Sequence, residues 1–83
     1  MTTIEAAQLI AGFRQIPEAG FDAVGAEPVT AAMDTTRPNG AVVLAKALIP
    51  MVENRSRAVL VVDSRGRVSL WIVRQNPFWN LPA

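Results

Sequence analysis

The chain has no cysteine, no histidine and no tyrosine among its 83 residues. Without cysteine neither a disulfide nor a thiolate metal site can staple the fold, and no imidazole is there to replace a thiolate as ligand. The usual proton-transfer and nucleophile chemistry then falls to serines, carboxylates or Lys46, and none of these forms a recognisable constellation. Glu18, Asp22 and Glu27 are acidic neighbours in a segment broken by glycine and proline, which reads as a solvated face rather than an acid/base pair or a magnesium site. The sequence predicts a protein that is not an enzyme and uses no cofactor and no metal.

Long apolar runs are also missing. The longest, Ala41 to Val52, is interrupted by Lys46 and falls far short of the roughly 20 residues that cross a bilayer, so no membrane partner is expected. The first residues, Met1 to Glu5, carry neither the positive region nor the apolar block of a signal peptide, and the predicted location is cytoplasmic. Seven arginines against one lysine, with many alanines and valines, fit a GC-rich coding sequence and a bacterial or phage source.

Charge of one sign is scarce as well, with a net charge of +1. The halves nevertheless differ: residues 1–41 hold two arginines against five acids, and residues 42–83 hold six basic residues against Glu53 and Asp63. Such polarity can steer a partner or pair head to tail with a second copy. With 51% hydrophobic and 18% charged residues a real core is expected in one domain spanning 1–83. A chain this short sits where one core only just offsets the entropy of ordering it, which leaves dense packing or oligomerisation as stabilisers.

Thr2 and Glu5 have the spacing of a capping box, and Ala6, Leu9, Ile10, Phe13 and Ile16 then recur at helical intervals up to Pro17. Between Pro17 and Gly40 the glycines and prolines break any long period; a short helix around Glu18–Val24, an extended segment near Val29–Met33 and a turn at Arg37–Gly40 are expected. Asn39 is placed as the N-cap of a second helix running to Asn54, with Ala41, Leu44, Ala45, Leu48, Met51 and Val52 inward. Pro50 predicts a kink or an early end, because it removes one backbone donor and crowds the carbonyl of Lys46.

From Arg57 to Arg74 the sequence reads as a β-hairpin, with Asp63 and Gly66 at the first and fourth positions of a type I turn. Ala58, Leu60 and Val62 point one way and Val59 and Val61 the other; on the return strand Val68, Leu70 and Ile72 oppose Trp71 and Val73. Both faces are apolar, and a two-stranded ribbon is only marginally stable alone. The helices can cover one face, so the second must meet more of this chain or a partner. The fold class follows as α+β: two helices packed on a C-terminal antiparallel β-hairpin, the sheet extended by a third strand from the Val29 region or by a second copy.

The string Val61-Val-Asp-Ser-Arg-Gly-Arg-Val68 after an amphipathic helix resembles the helix-hairpin part of cystathionine-beta-synthase-type nucleotide-sensing modules, and sensor domains of the PAS type carry a similar turn. The first resemblance implies a glycine in the return strand after the turn, and then a threonine and an aspartate that meet a nucleotide. Here those positions hold Leu70, Val73 and Asn76, so the ligand-contacting residue types are absent.

Two surfaces remain as candidates. Trp71, Phe78, Trp79 and Leu81 are large apolar side chains suited to anchoring a protein interface, or to closing the core from a proline-bounded tail. Arg55, Arg57, Arg65, Arg67 and Arg74 concentrate around the hairpin, and a basic ribbon can follow a nucleic-acid backbone, although arginines there also serve as solvated guards against stray pairing. The function expected from these residues is a non-catalytic, self-associating protein-interaction module, a small adaptor or inhibitor whose partner is another copy or a larger protein. The alternative is nucleic-acid binding through the arginines.

Overall fold

The capping box at Thr2 forms and opens the first helix. In a computed structural model, which describes residues 1–73, the Thr2 hydroxyl accepts from the Glu5 backbone N–H at 3.1 Å and the Glu5 carboxylate accepts from the Thr2 N–H at 3.1 Å. Helix α1 spans Thr3–Ala11 and stops before Ile16, contrary to the helical period. Gly12 caps it, being a poor helix former. Gln15–Pro17 instead forms strand β1, which runs parallel to the later strand β3 (Ala58–Val62) with Ile16 opposite Val61.

A single 3-10 turn, Glu18–Gly20, replaces the expected short helix. Strand β2, Ala26–Pro28, then pairs antiparallel with β4 (Val68–Val73), Pro28 opposite Trp71. The chain stays on that edge: Val29 N–H donates to the Leu70 carbonyl at 2.7 Å, the Thr30 hydroxyl accepts from Leu70 N–H at 3.0 Å, and Met33 and Val68 exchange two bonds of 2.9 Å. The third strand therefore comes from this chain, starting just upstream of Val29.

Helix α2 spans Pro38–Glu53. Arg37 is its N-cap and Pro38 begins it, so the expected turn at Arg37–Gly40 is the helix's own first turn. Proline is favoured there because its missing N–H would have no intrahelical partner. Pro50 does not end the helix, which runs on to Glu53. Its exit is a Schellman arrangement, with Arg55 N–H bonded to the Val52 carbonyl at 3.2 Å and Ser56 N–H to Met51 at 2.9 Å. Arg55 occupies the left-handed position usually given to glycine, at φ 52°.

The hairpin of β3 and β4 pairs Leu60 with Leu70 and Val62 with Val68. Its turn is the expected one: Gly66 N–H donates to the Asp63 carbonyl at 3.0 Å, Gly66 has φ 79°, and the Asp63 carboxylate accepts from the N–H groups of Arg65 and Arg67 at 2.9 Å. The fold is thus α+β, with two α-helices and a four-stranded mixed sheet in the order β1-β3-β4-β2 among the described residues. Among the described residues no helix is long and apolar enough to cross a membrane.

Alternation along the hairpin divides the interior as the sequence predicts. Leu60, Val68 and Leu70 join Ala6 and Ile10 of α1 and Ala41, Leu44, Ala45 and Leu48 of α2 in the larger core. Met51 packs against it, but Val52, expected inward, is half exposed; the stripe begun by Leu44 and Leu48 falls between these two positions and Met51 takes it. Val59, Val61 and Val73 form a smaller cluster on the helix-free side with Ile16, Phe21 and Trp71.

Three carboxylates close turns or caps, and each is held below its ordinary range. The Thr2 backbone N–H lowers Glu5 most, the Thr36 hydroxyl and then its backbone N–H lower Asp34, and the Arg67 backbone N–H leads for Asp63. A carboxyl whose folded pKa is depressed contributes stability that is complete above its unfolded value of about 4 and is lost as pH falls through the lower folded value. Melting temperature should accordingly hold steady at neutral pH and fall below about pH 4. Asp63→Asn should flatten that acid limb; thermal melts from pH 2 to pH 7 showing an unchanged slope would refute the assignment to this turn.

Candidate functional site

Trp71 lies on the helix-free face of the sheet because it alternates with Leu70 and Ile72 along β4. It is half-buried, and its indole N–H donates to the Ser69 hydroxyl at 2.9 Å. Phe21, delivered by the turn after the 3-10 segment, meets the indole edge-on, with ring centroids 5.1 Å apart and planes at 66°, an arrangement that suits the opposed charge of ring face and ring edge. Val59, Val61 and Val73 beneath are 3%, 4% and 8% exposed. These three strand valines are therefore covered within the chain while Ile16 and Trp71 stay half-buried, so this face meets more of its own chain, one of the two kinds of cover that the sequence allows.

The described residues leave open a groove beside the aromatic pair. About 510 Å³ of space is lined by Phe21, Ala23, Pro28, Ala31, Ala32, Val61 and Trp71, with Glu18 and Asp63 towards the hairpin turn. A second hollow of about 380 Å³ shares Glu18 and Asp63 and extends along Pro17, Ala19, Val62 and Ser64. At the opposite end of the strands a hollow of about 270 Å³ has an apolar floor of Ile16, Val59 and Val73 flanked by Arg14 and Arg57.

The parallel pairing of β1 and β3 produces this polarity. Arg14 and Arg57 precede the two strands and Glu18 and Asp63 follow them, so the cations gather at one end of the pair and the carboxylates at the other. Asp63 is partly neutralised by the Arg67 guanidinium, 3.4 Å away, and by its turn N–H groups. Glu18 is exposed.

Of the candidate interface residues, Trp71 stands at the groove, whereas Phe78, Trp79 and Leu81 lie outside the described residues, as does Arg74. The other arginines do not gather. Arg65 and Arg67 sit at the hairpin turn, and Arg55 and Arg57 at the far end of β3, separated by five strand residues or about 17 Å. The acidic neighbours also disperse: Asp22 caps the Val24 N–H at 2.9 Å, and Glu27 stands opposite Ile72 on the other side of the sheet from Glu18. Among the described residues no group of three or more acidic side chains is placed to hold a metal ion.

Sequence reasoning missed Phe21, Arg14 and the Ala31–Ala32 wall. Phe21 was the one signal available, a lone aromatic in a segment without period. No protein-family model matches the chain, and neither the curated proteins nor the solved structures give a match to it.

Proposed function

We propose that this protein is a non-catalytic protein-binding module, a small adaptor or inhibitor that engages another chain through the helix-free face of its sheet. The groove beside Trp71 carries this reading. Its walls are mostly apolar with Glu18, Thr30, Asp63 and Ser69 among them, its centre holds an indole and a phenyl ring packed against each other, and the described residues leave it open after they have covered the valines. Rigid aromatics of this kind anchor interfaces because little side-chain entropy is lost when they are covered. Docking on the face is favoured over strand addition because β1 and β2, the two edges of the sheet, are three residues long and each closes on a proline; short, proline-bearing edges resist pairing with a further strand.

Ala32 is exposed on the groove wall, so Ala32→Arg should fill the groove and leave the fold intact. Affinity capture from the native host, read by mass spectrometry and counting a second copy as a partner, should yield a stoichiometric protein with the wild-type chain. Ala32→Arg should weaken that association by about tenfold or more while melting is unchanged. Equal capture by both proteins would refute the reading. So would nucleic-acid binding that is steep in salt and abolished by Arg65→Ala with Arg67→Ala, which would move the function to the arginines.

A further inference from the structure

Resting on that reading, we propose that the occupant of the helix-free face is a second copy of this chain, turned by a two-fold axis that runs across the strands at the level of Ile16 and Val61. The polarity of the face selects this axis. Arg14 opens β1 and Glu18 follows it, on a strand of three residues parallel to β3. Rotation about an axis lying in the face and across the strands reverses strand direction while keeping β1 over β1. It sets Arg14 of each copy against Glu18 of the other and makes the contact twice, as a two-fold interface requires. Rotation about an axis along the strands would instead bring the Arg14 and Arg57 ends together, where like charges repel. The middle of the face, with Ile16, Phe21 and Trp71 half-buried, supplies apolar area between the two ion pairs. Among the described residues the edge strands β1 and β2 are short and each closes on a proline, which makes strand addition the weaker route to a dimer.

Asp63 adds little to this pattern because Arg67 already pairs with it, and Arg65 and Arg67 are not among the groove-lining residues. The proposal therefore rests on Arg14 and Glu18, both exposed, and both can be reversed in sign without disturbing the core.

The test is sedimentation equilibrium of wild type, Arg14→Glu and Glu18→Arg, alone and in an equimolar mixture. Wild type should dimerise. Each variant alone places like charges at both contacts and should dimerise about tenfold more weakly or worse, with melting unchanged at dilutions where wild type is itself monomeric. In the mixture every contact again joins opposite charges, so the heterodimer should regain wild-type affinity, and that rescue separates a specific pairing from a general loss of fold. A monomeric wild type, or a mixture no tighter than its components, overturns the second copy as occupant. If in that case Ala32→Arg still loses a different stoichiometric protein, the binding-module reading stands; if no partner depends on Ala32, both readings fall.

Discussion

Gly40→Ala is expected to destabilise the protein by about 1–3 kcal/mol or more, although alanine is the better helix former by about 1 kcal/mol at an open position. Gly40 lies in the first turn of α2, and a Cβ built there would sit well inside contact distance of the carbonyl oxygen and carbon of Asp34. Those are backbone atoms and cannot swing aside as a side-chain end can. Their position is fixed from both directions, by Met33 bonded to Val68 of β4 and by the Asp34 carboxylate accepting the Thr36 N–H at 2.9 Å. Relief would require pushing α2 off the strap that holds it to the sheet. Gly20→Ala is the control, because a Cβ there meets nothing within 4 Å, and it should be neutral or slightly stabilising. In urea unfolding the midpoint of Gly40→Ala should fall well below that of Gly20→Ala at similar slope. A Gly40→Ala protein as stable as wild type would mean that the approach of Asp34 to α2 does not exist in solution.

Legibility in this chain follows the range of the interaction that fixes each element. The start of α1 was readable because Thr2 and Glu5 satisfy each other across three residues, and the hairpin because Asp63 and Gly66 complete their turn locally. The inward set of α2 was readable from its period, apart from Val52 at the boundary of the stripe. Strand β1 was not. Ile16 continues the spacing of Ile10 and Phe13, yet it pairs with Val61, far along the chain, and a three-residue strand carries no period with which to contradict the helix. Pro38-Asn-Gly40 failed differently, since the same residues suit a turn and a helix start, and only the packing of Asp34 on Gly40 decides between them.

The candidate site divides along the same line. Trp71 was placed on the second face by alternation alone, and that placement holds. That Phe21 covers part of the same face was not legible, because it lies in a segment without period. The charge polarity was invisible for a topological reason: Arg14 and Arg57 become neighbours only when β1 lies parallel to β3.

The two faces of the hairpin also predict unequal costs of truncation. Leu60 and Leu70 face each other across the central pair of strands, both are fully buried, and both belong to the core that the two helices close. Leu60→Ala or Leu70→Ala should each cost about 2–5 kcal/mol, from lost burial plus the cavity left behind. A domain of this size has a total stability of only about 5 kcal/mol, so either variant should be largely unfolded in mild urea. Val59→Ala removes less volume from the smaller cluster on the other face and should cost about 1–2 kcal/mol at roughly 0.8 kcal/mol per buried methylene. Because Leu60 and Leu70 touch one cavity, the double variant should cost less than the sum of the singles, the sign expected when the second truncation enlarges a hole already made. Equal losses for Leu60→Ala and Val59→Ala would show that the helix side is not the main core, and the helix-free face would then be a buried layer with no room for a partner.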